Sequence, residues 1–236
     1  MSKIIVVGQD LTLDWLKRRT KMFAEIERQT TQSLENPGTG LTLDHLQSVI
    51  EHKNPFPKVD EILLGWKLFY KELFELELDF ANLVIPKRKK GFDRLIVVAK
   101  GMTPNKLFAK CKELFPVWKY ADNLDTITSD RKADHDYVIW VRDRVEADEE
   151  MKNKSANSLK RDGIIGVTLE ERLLYELKFF KETGKHLDIV NWTLCSGSRY
   201  SYDFVPYVHL YDGKVHVNWY NADHQHDYLR SRQVVS

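Results

Sequence analysis

Apolar positions in the first third of the chain recur at helical spacing. Leu13, Leu16, Met22, Phe23 and Ile26, with charged residues between them, predict an amphipathic helix over 11–35. "NPGTG" at 36–40 interrupts the pattern. A short helix, "TLDHLQSVIEH", follows with Thr42 as its cap. "NPFP" breaks the chain again before "KVDEILLGWKLFYKELFELELDF", a long stretch rich in apolar residues. These segments predict a helical bundle or hairpin through about residue 83. The basic run "PKRKKG" then marks a shift in composition and reads as a solvated linker. It lacks the interleaved aromatics and the net basic surroundings of a phosphate-binding patch.

Beyond the linker the period changes. "RLIVVAK" and "DYVIWVRD" are compact β-branched runs and predict buried strands. Between them "TPNKLFAKCKELF" predicts a helix, capped by Thr103 with Pro104 at its first position. After the charged stretch "RVEADEEMKNKS" comes "GVTLEERLLYELKFFKETGKHL". Thr168 and Glu171 have capping-box spacing there, and Gly184 ends the helix. From Asp188 onward the chain alternates and turns like a series of short strands. In "KVHVNWYN", Val215, Val217 and Trp219 share one face by the period of two, and His216, Asn218 and Tyr220 share the other. Asp212-Gly213 is a tight-turn signal, and Tyr200, Tyr202 and Phe204 share a parity of their own. No internal repeat or low-complexity segment occurs. The expected architecture is α+β: a helical N-terminal domain over 1–90 and a mixed domain over 92–236.

Composition narrows the function classes. The chain has 236 residues, is 42% apolar and 30% charged, and carries a net charge of +1. These values fit a globular protein and give no electrostatic case for nucleic acid or membrane. Cys111 and Cys195 are far apart, which argues against a disulfide framework or a cysteine-rich zinc site. The first residues are interrupted by charge too soon for a signal peptide, and no apolar run suits a membrane span, so a cytoplasmic location is expected.

Candidate chemistry concentrates near the end. The segment from Arg199 to Arg232 holds six of the ten tyrosines and four of the eight histidines. Its palette of Tyr, Asn, Ser, Asp and Gly is that of antibody paratopes, where tyrosine supplies amphipathic contact at low entropy cost. The candidate ligand-binding residues are Tyr200, Tyr202, Asp203, Phe204, Tyr207, His209, Tyr211, His216, Asn218, Asn221, His224, His226 and Tyr228. Val205, Val208, Val215, Val217 and Trp219 are the expected framework anchors. Arg199, Arg230 and Arg232 are its hydrogen-bonding partners. A filled β core is the plainer alternative for the tyrosines. His224 and His226 would share a strand face as half of a metal site, but further ligands are not signalled, so no metal and no cofactor are expected. Cys195 with His186 or a later histidine has the composition of a nucleophile and base. A small cysteine beside Ser196 and Gly197 is more simply a packed core residue. The acids of "VRDRVEADEE" read as a surface helix start rather than acid–base machinery. "VVGQDLTLDW" has a single glycine and is no phosphate loop.

Every candidate residue in the C-terminal set is encodable by a codon reachable from AAC through changes at adenine alone. Lys214, Trp219 and Gln225 are not, and they sit among the framework. With the helix "TLEERLLYELKFF", then "TLCSGSRYS", "VNWYNAD" and the terminal "LRSRQVVS", residues 92–236 resemble the variable protein of a diversity-generating retroelement. Leu229-Arg230 stands where such domains carry a Gly-Phe-Arg type ending. The resemblance implies a C-type lectin-like domain of the formylglycine-generating-enzyme kind. It also implies a binding face rewritten by adenine-directed copying, no required calcium, and a protein or other macromolecular ligand. The N-terminal helices would serve self-association or attachment to a partner. A fixed-specificity lectin-like module and a formylglycine-generating-type enzyme using Cys195 are the alternatives.

Overall fold

The computed structural model describes residues 9–35, 41–51, 59–201 and 203–236, with helix side chains from Lys17 onward. The two interrupting stretches that contain "NPGTG" and "NPFP" lie outside the described residues, as does Tyr202. The chain divides into two compact units, Met1–Lys58 and Val59–Ser236.

The first unit contains α1 (Gln9–Glu35) and α2 (Leu43–Ile50). On α1, Glu25 accepts from Arg28 at 2.6 Å and from Gln29 at 2.8 Å, one turn apart. Thr42 caps α2 by accepting from the His45 amide, while the His45 ring accepts from the Thr42 amide. None of the residues of α2 is buried. Leu43, Val49 and Ile50 are exposed, as are Met22, Phe23 and Leu34 of α1.

The second unit begins with α3 (Val59–Phe74), whose stripe Trp66, Phe69, Tyr70 and Leu73 is buried. The stripe lies on β1 (Arg94–Val98), which pairs antiparallel with β4 (Tyr137–Val141). The Trp66 indole donates to the Leu95 carbonyl at 3.1 Å. The Tyr70 hydroxyl donates to the Val97 carbonyl at 2.7 Å and accepts from the Ala99 amide at 3.1 Å. The boundary expected near residue 90 therefore lies inside this unit, and α3 belongs with the strands. Helical periodicity shows that one face is covered but not what covers it.

Two further helices pack on each other, α4 (Pro104–Leu114) and α6 (Leu169–Thr183), with the short α5 (Ala156–Arg161) before α6. Both expected caps form: Thr103 accepts from the Lys106 amide, and Thr168 and Glu171 make a reciprocal capping box. The remaining strands are β2 (Val117–Lys119), β3 (Thr128–Ser129), β5 (Trp192–Leu194), β6 (Ser198–Arg199), β7 (Phe204–Tyr211), β8 (Lys214–Asn221) and β9 (Leu229–Arg230). They form a five-stranded sheet in the order β2-β8-β7-β5-β9, and a separate β3–β6 pair. β7 and β8 are an antiparallel hairpin, while β2 joins β8 and β9 joins β5 in parallel. At the hairpin turn Asp212 and Gly213 have φ of +48° and +69°, as a two-residue turn matched to strand twist requires. With its helices and largely antiparallel strands, the unit is α+β.

The end of the chain is tied in. Val235 exchanges backbone bonds with Trp140, and the Val167 amide donates to the Arg232 carbonyl. Gly166 and Gly197 let these segments cross closely: a Cβ on Gly166 would stand 1.8 Å from the Ser196 hydroxyl. Among the described residues, no helix is long and apolar enough to cross a membrane.

A chain shortened to 59–236 is expected to melt cooperatively near the full-length temperature, whereas one shortened to 92–236 loses the α3 cover and fails to give a cooperative transition. Circular dichroism melting of the two fragments decides this.

Candidate functional site

The hairpin register sorts the C-terminal residues onto two faces. His209 lies opposite His216, Tyr207 opposite Asn218, and Val208 opposite Val217. Val208, Val215 and Val217 enter the main core, with Leu210 and Trp219 packed against it. Tyr207, His209 and Tyr211 of β7 and His216, Asn218 and Tyr220 of β8 occupy the other face. β5 adds Trp192, whose neighbour Leu194 pairs with Tyr207. β2 adds Trp118, in register with His216.

This face is a ladder of rings. Trp192 stacks on Tyr207 at 5.0 Å and 6°, Tyr207 on Tyr220 at 4.7 Å, and Tyr220 on His224 at 4.1 Å. Tyr228 lies 4.2 Å from Trp192, and His226 lies 3.6 Å from Tyr228. In the other direction His209 is 4.5 Å from Trp192, His216 is 5.4 Å from His209, and Trp118 is 5.2 Å from His216. Each such pair contributes about 0.5–1.5 kcal/mol beyond its buried area.

The ladder corrects one expectation. Tyr207 and His209 are only 5% and 7% exposed, so they are packing residues rather than free contacts. Val205 is fully buried, as expected of a framework anchor, in a second small core on the ring face with Leu194, Tyr207, Ala222 and Leu229. The physical reason is that the small hydrophobes of β5, β9 and α5 cover one end of the face and leave the rest open. Tyr211, at 64% exposure, projects at the hairpin end.

Other candidates lie elsewhere. Tyr200 stacks on Trp219 at 4.5 Å and 5°, on the side away from the ladder. Phe204, opposite Asn221, is exposed on that side too. The Asp203 carbonyl accepts from the Ala222 amide at 2.6 Å, and the Asn221 side chain accepts from the Asp223 amide at 2.9 Å, which closes the turn after β8. The Asn218 side chain accepts from the Trp219 amide at 2.9 Å. Sequence reasoning passed over Trp118, Trp192 and Tyr220 as ligand contacts. Tyr220 was legible through its shared parity with His216 and Asn218. Trp118 and Trp192 lie outside the dense C-terminal segment.

Two imidazole nitrogens in the face, His209 Nδ1 and His224 Nε2, are buried without a hydrogen-bond partner among the described residues. Burial pushes the His209 pKa from the ordinary 6.5 down to about 4, with His216 adding to the shift and Asp188 opposing it. Burial, then Lys214, lowers that of His216. Both imidazoles are therefore held toward their neutral form at pH 7. His224 and His226 are engaged in stacking, and no group of three metal-binding side chains occurs among the described residues. Cys195 is fully buried, and burial pushes its thiol pKa up, so it stands as a neutral core thiol.

The framework arginines hold backbone and acids. Arg232 is buried and donates to the Arg144 carbonyl at 2.9 Å, the Val145 carbonyl at 2.7 Å and Asp188 at 2.7 Å. Arg199 donates to the Ser196 carbonyl at 2.7 Å, and Arg230 pairs with Glu149 at 2.8 Å. Comparison with protein-family models, with curated proteins and with solved structures gives no match to this chain.

Tyr207→Ser is expected to cost about 3 kcal/mol or more, as a large ring leaves a packed site. Tyr211→Ser should stay within about 0.5 kcal/mol. Urea titration of both variants tests the sorting of the face. The unfolded chain takes up a proton at His209 below its ordinary pKa of 6.5, while the folded chain resists until about 4. Stability therefore falls as pH drops through that window, by about 2 kcal/mol at pH 5 from this group. His209→Gln should flatten the dependence between pH 7 and 5, and an unchanged slope would assign the acid sensitivity elsewhere.

Proposed function

We propose that the chain is a ligand-binding protein whose C-terminal sheet is the contact surface. In this reading it is the variable protein of a diversity-generating retroelement, with a C-type lectin-like domain. The observation that carries the proposal is the run of Tyr, His and Trp rings across four strands. One end of it is packed, and the other is open at Tyr211, His216 and Trp118. A face of this kind presents rigid aromatic contacts on a braced scaffold, the arrangement that dominates interface hot spots. Both flanks of the segment are anchored, through Arg199 on one side and through Arg232 and Val235 on the other. Exposed positions between them can change at small cost in stability.

One observation favours the fixed-specificity reading instead. Tyr207 and His209 belong to the packing of the sheet, so free substitution there would weaken the scaffold itself. The first unit enters the proposal as a route to self-association, because Met22, Phe23, Val49 and Ile50 are exposed on its described helices.

Sequencing the DNA beside the gene tests the diversification. A near-copy of the segment for Arg199 to Arg232, adjacent to a reverse-transcriptase gene and differing from it almost only at adenines of the copy, is the expected outcome. No copy, or differences spread over all four bases, would leave the fixed-specificity module as the reading.

A further inference from the structure

We infer that the contact surface continues past the C-terminal segment onto β2, where Trp118 and Tyr120 anchor a neutral, aromatic patch of a partner protein. The inference rests on the reading of the sheet as a ligand-binding surface. It concerns two residues some eighty positions before the segment that carries that reading.

β2 is a three-residue edge strand, and its parallel pairing with β8 sets Trp118 beside His216. Tyr120 follows two residues on, with its amide donating to the Val217 carbonyl at 3.1 Å. Its ring lies 6.2 Å from Trp118 and 4.1 Å from Trp219, which in turn stacks on Tyr200. The rings therefore pass without a break from the ladder, round the edge strand, to the second aromatic group on the far side. Trp118 is 41% and Tyr120 61% exposed. Tryptophan is mostly buried on average and is enriched at interface hot spots, so an open one that extends a ring surface is suited to contact.

Charge selects the partner. Among the described residues, cations lie over Trp66, Trp140 and Tyr175 and over several phenylalanines elsewhere, but over no ring of this surface. On the ladder side of β7 and β8 the one charged strand residue is Lys214, at the hairpin end. A nucleic acid needs several cations placed along its phosphates. A neutral centre of rings is what the desolvated core of a protein interface contains. Area points the same way. Without β2, the two eight-residue strands β7 and β8 and the short β5 and β9, spaced about 4.8 Å apart, give a face of roughly 330 Å². That is short of the roughly 800 Å² each partner contributes to a standard interface, and the rings of β2 extend it in the direction left open.

The test uses the full chain labelled with ¹⁵N. It is titrated separately with p-cresol, n-propylguanidinium and propionate as mimics of tyrosine, arginine and carboxylate side chains. The expected result is that p-cresol alone shifts the Trp118 indole signal and the Tyr120 and His216 amides. Trp118→Ala, with Trp118→Leu as a second variant, then weakens its binding by about threefold or more, as loss of one ring contact requires. Shifts confined to Trp192, Tyr220 and Tyr228, or unchanged affinity in both variants, would remove β2 from the surface and leave the binding reading standing. Shifts at no residue of the sheet would overturn both. A response of Trp118 to guanidinium or propionate as strong as to p-cresol would overturn the neutral partner.

Discussion

Asp188 is the point on which the second unit turns. It is fully buried, with φ of +54°, a conformation an aspartate adopts at modest cost. Its carboxylate takes Arg172 from α6 at 2.9 Å and Arg232 from the C-terminal stretch at 2.7 Å, and accepts from the Thr193 hydroxyl of β5. Its backbone donates to Val145 and accepts from Leu210 of β7. Arg172 also pairs with Glu176 at 2.7 Å, so two buried cations face two buried anions. Removing one partner of such a set leaves an uncompensated charge in the core, which typically costs about 3–5 kcal/mol. The network therefore fixes helix, sheet and chain end relative to one another.

The ring face depends on that brace. Thr193 is tied to Asp188 and Arg232, and its neighbours Trp192 and Leu194 point the opposite way, into the ladder and the small core beneath it. Alternation along one short strand thus couples an ionic core on one side to an aromatic surface on the other. A stacked ladder holds each ring against its neighbours, so a ligand would meet side chains whose rotamers are already chosen. Such preorganisation lowers the entropy cost of binding.

The same packing limits what can change. Where the ladder is covered by Ala156, Val205, Ala222 and Leu229, a ring is structural first. Where it opens, toward Tyr211, His216 and Trp118, a ring is held on fewer sides and has room to be exchanged. An open ring surface and a packed core share one face here, and the boundary between them runs through the middle of the C-terminal segment.

Much of this was legible in the chain. The capping box at Thr168 and Glu171, the Pro104 helix start, the Asp212-Gly213 turn and the parity of Val215, Val217 and Trp219 are local signals. Each depends on residues a few positions apart, so neighbouring sequence suffices. The density of Tyr and His after Arg199 is a local signal too, and it marked the segment that supplies most rings of the ladder. Three features were not legible. That α3 covers β1 rests on hydrogen bonds from Trp66 and Tyr70 to residues nearly thirty positions on, which periodicity does not register. That Tyr207 is buried depends on Leu194, Leu229 and Ala156, brought in by other elements. That Trp118 lies beside His216 follows from a parallel pairing across about a hundred residues, set by the sheet order alone. The sequence by itself determined the elements, their caps and the alternation of their faces. The tertiary structure alone decided which faces are covered, because burial is a property of what arrives from elsewhere in the chain.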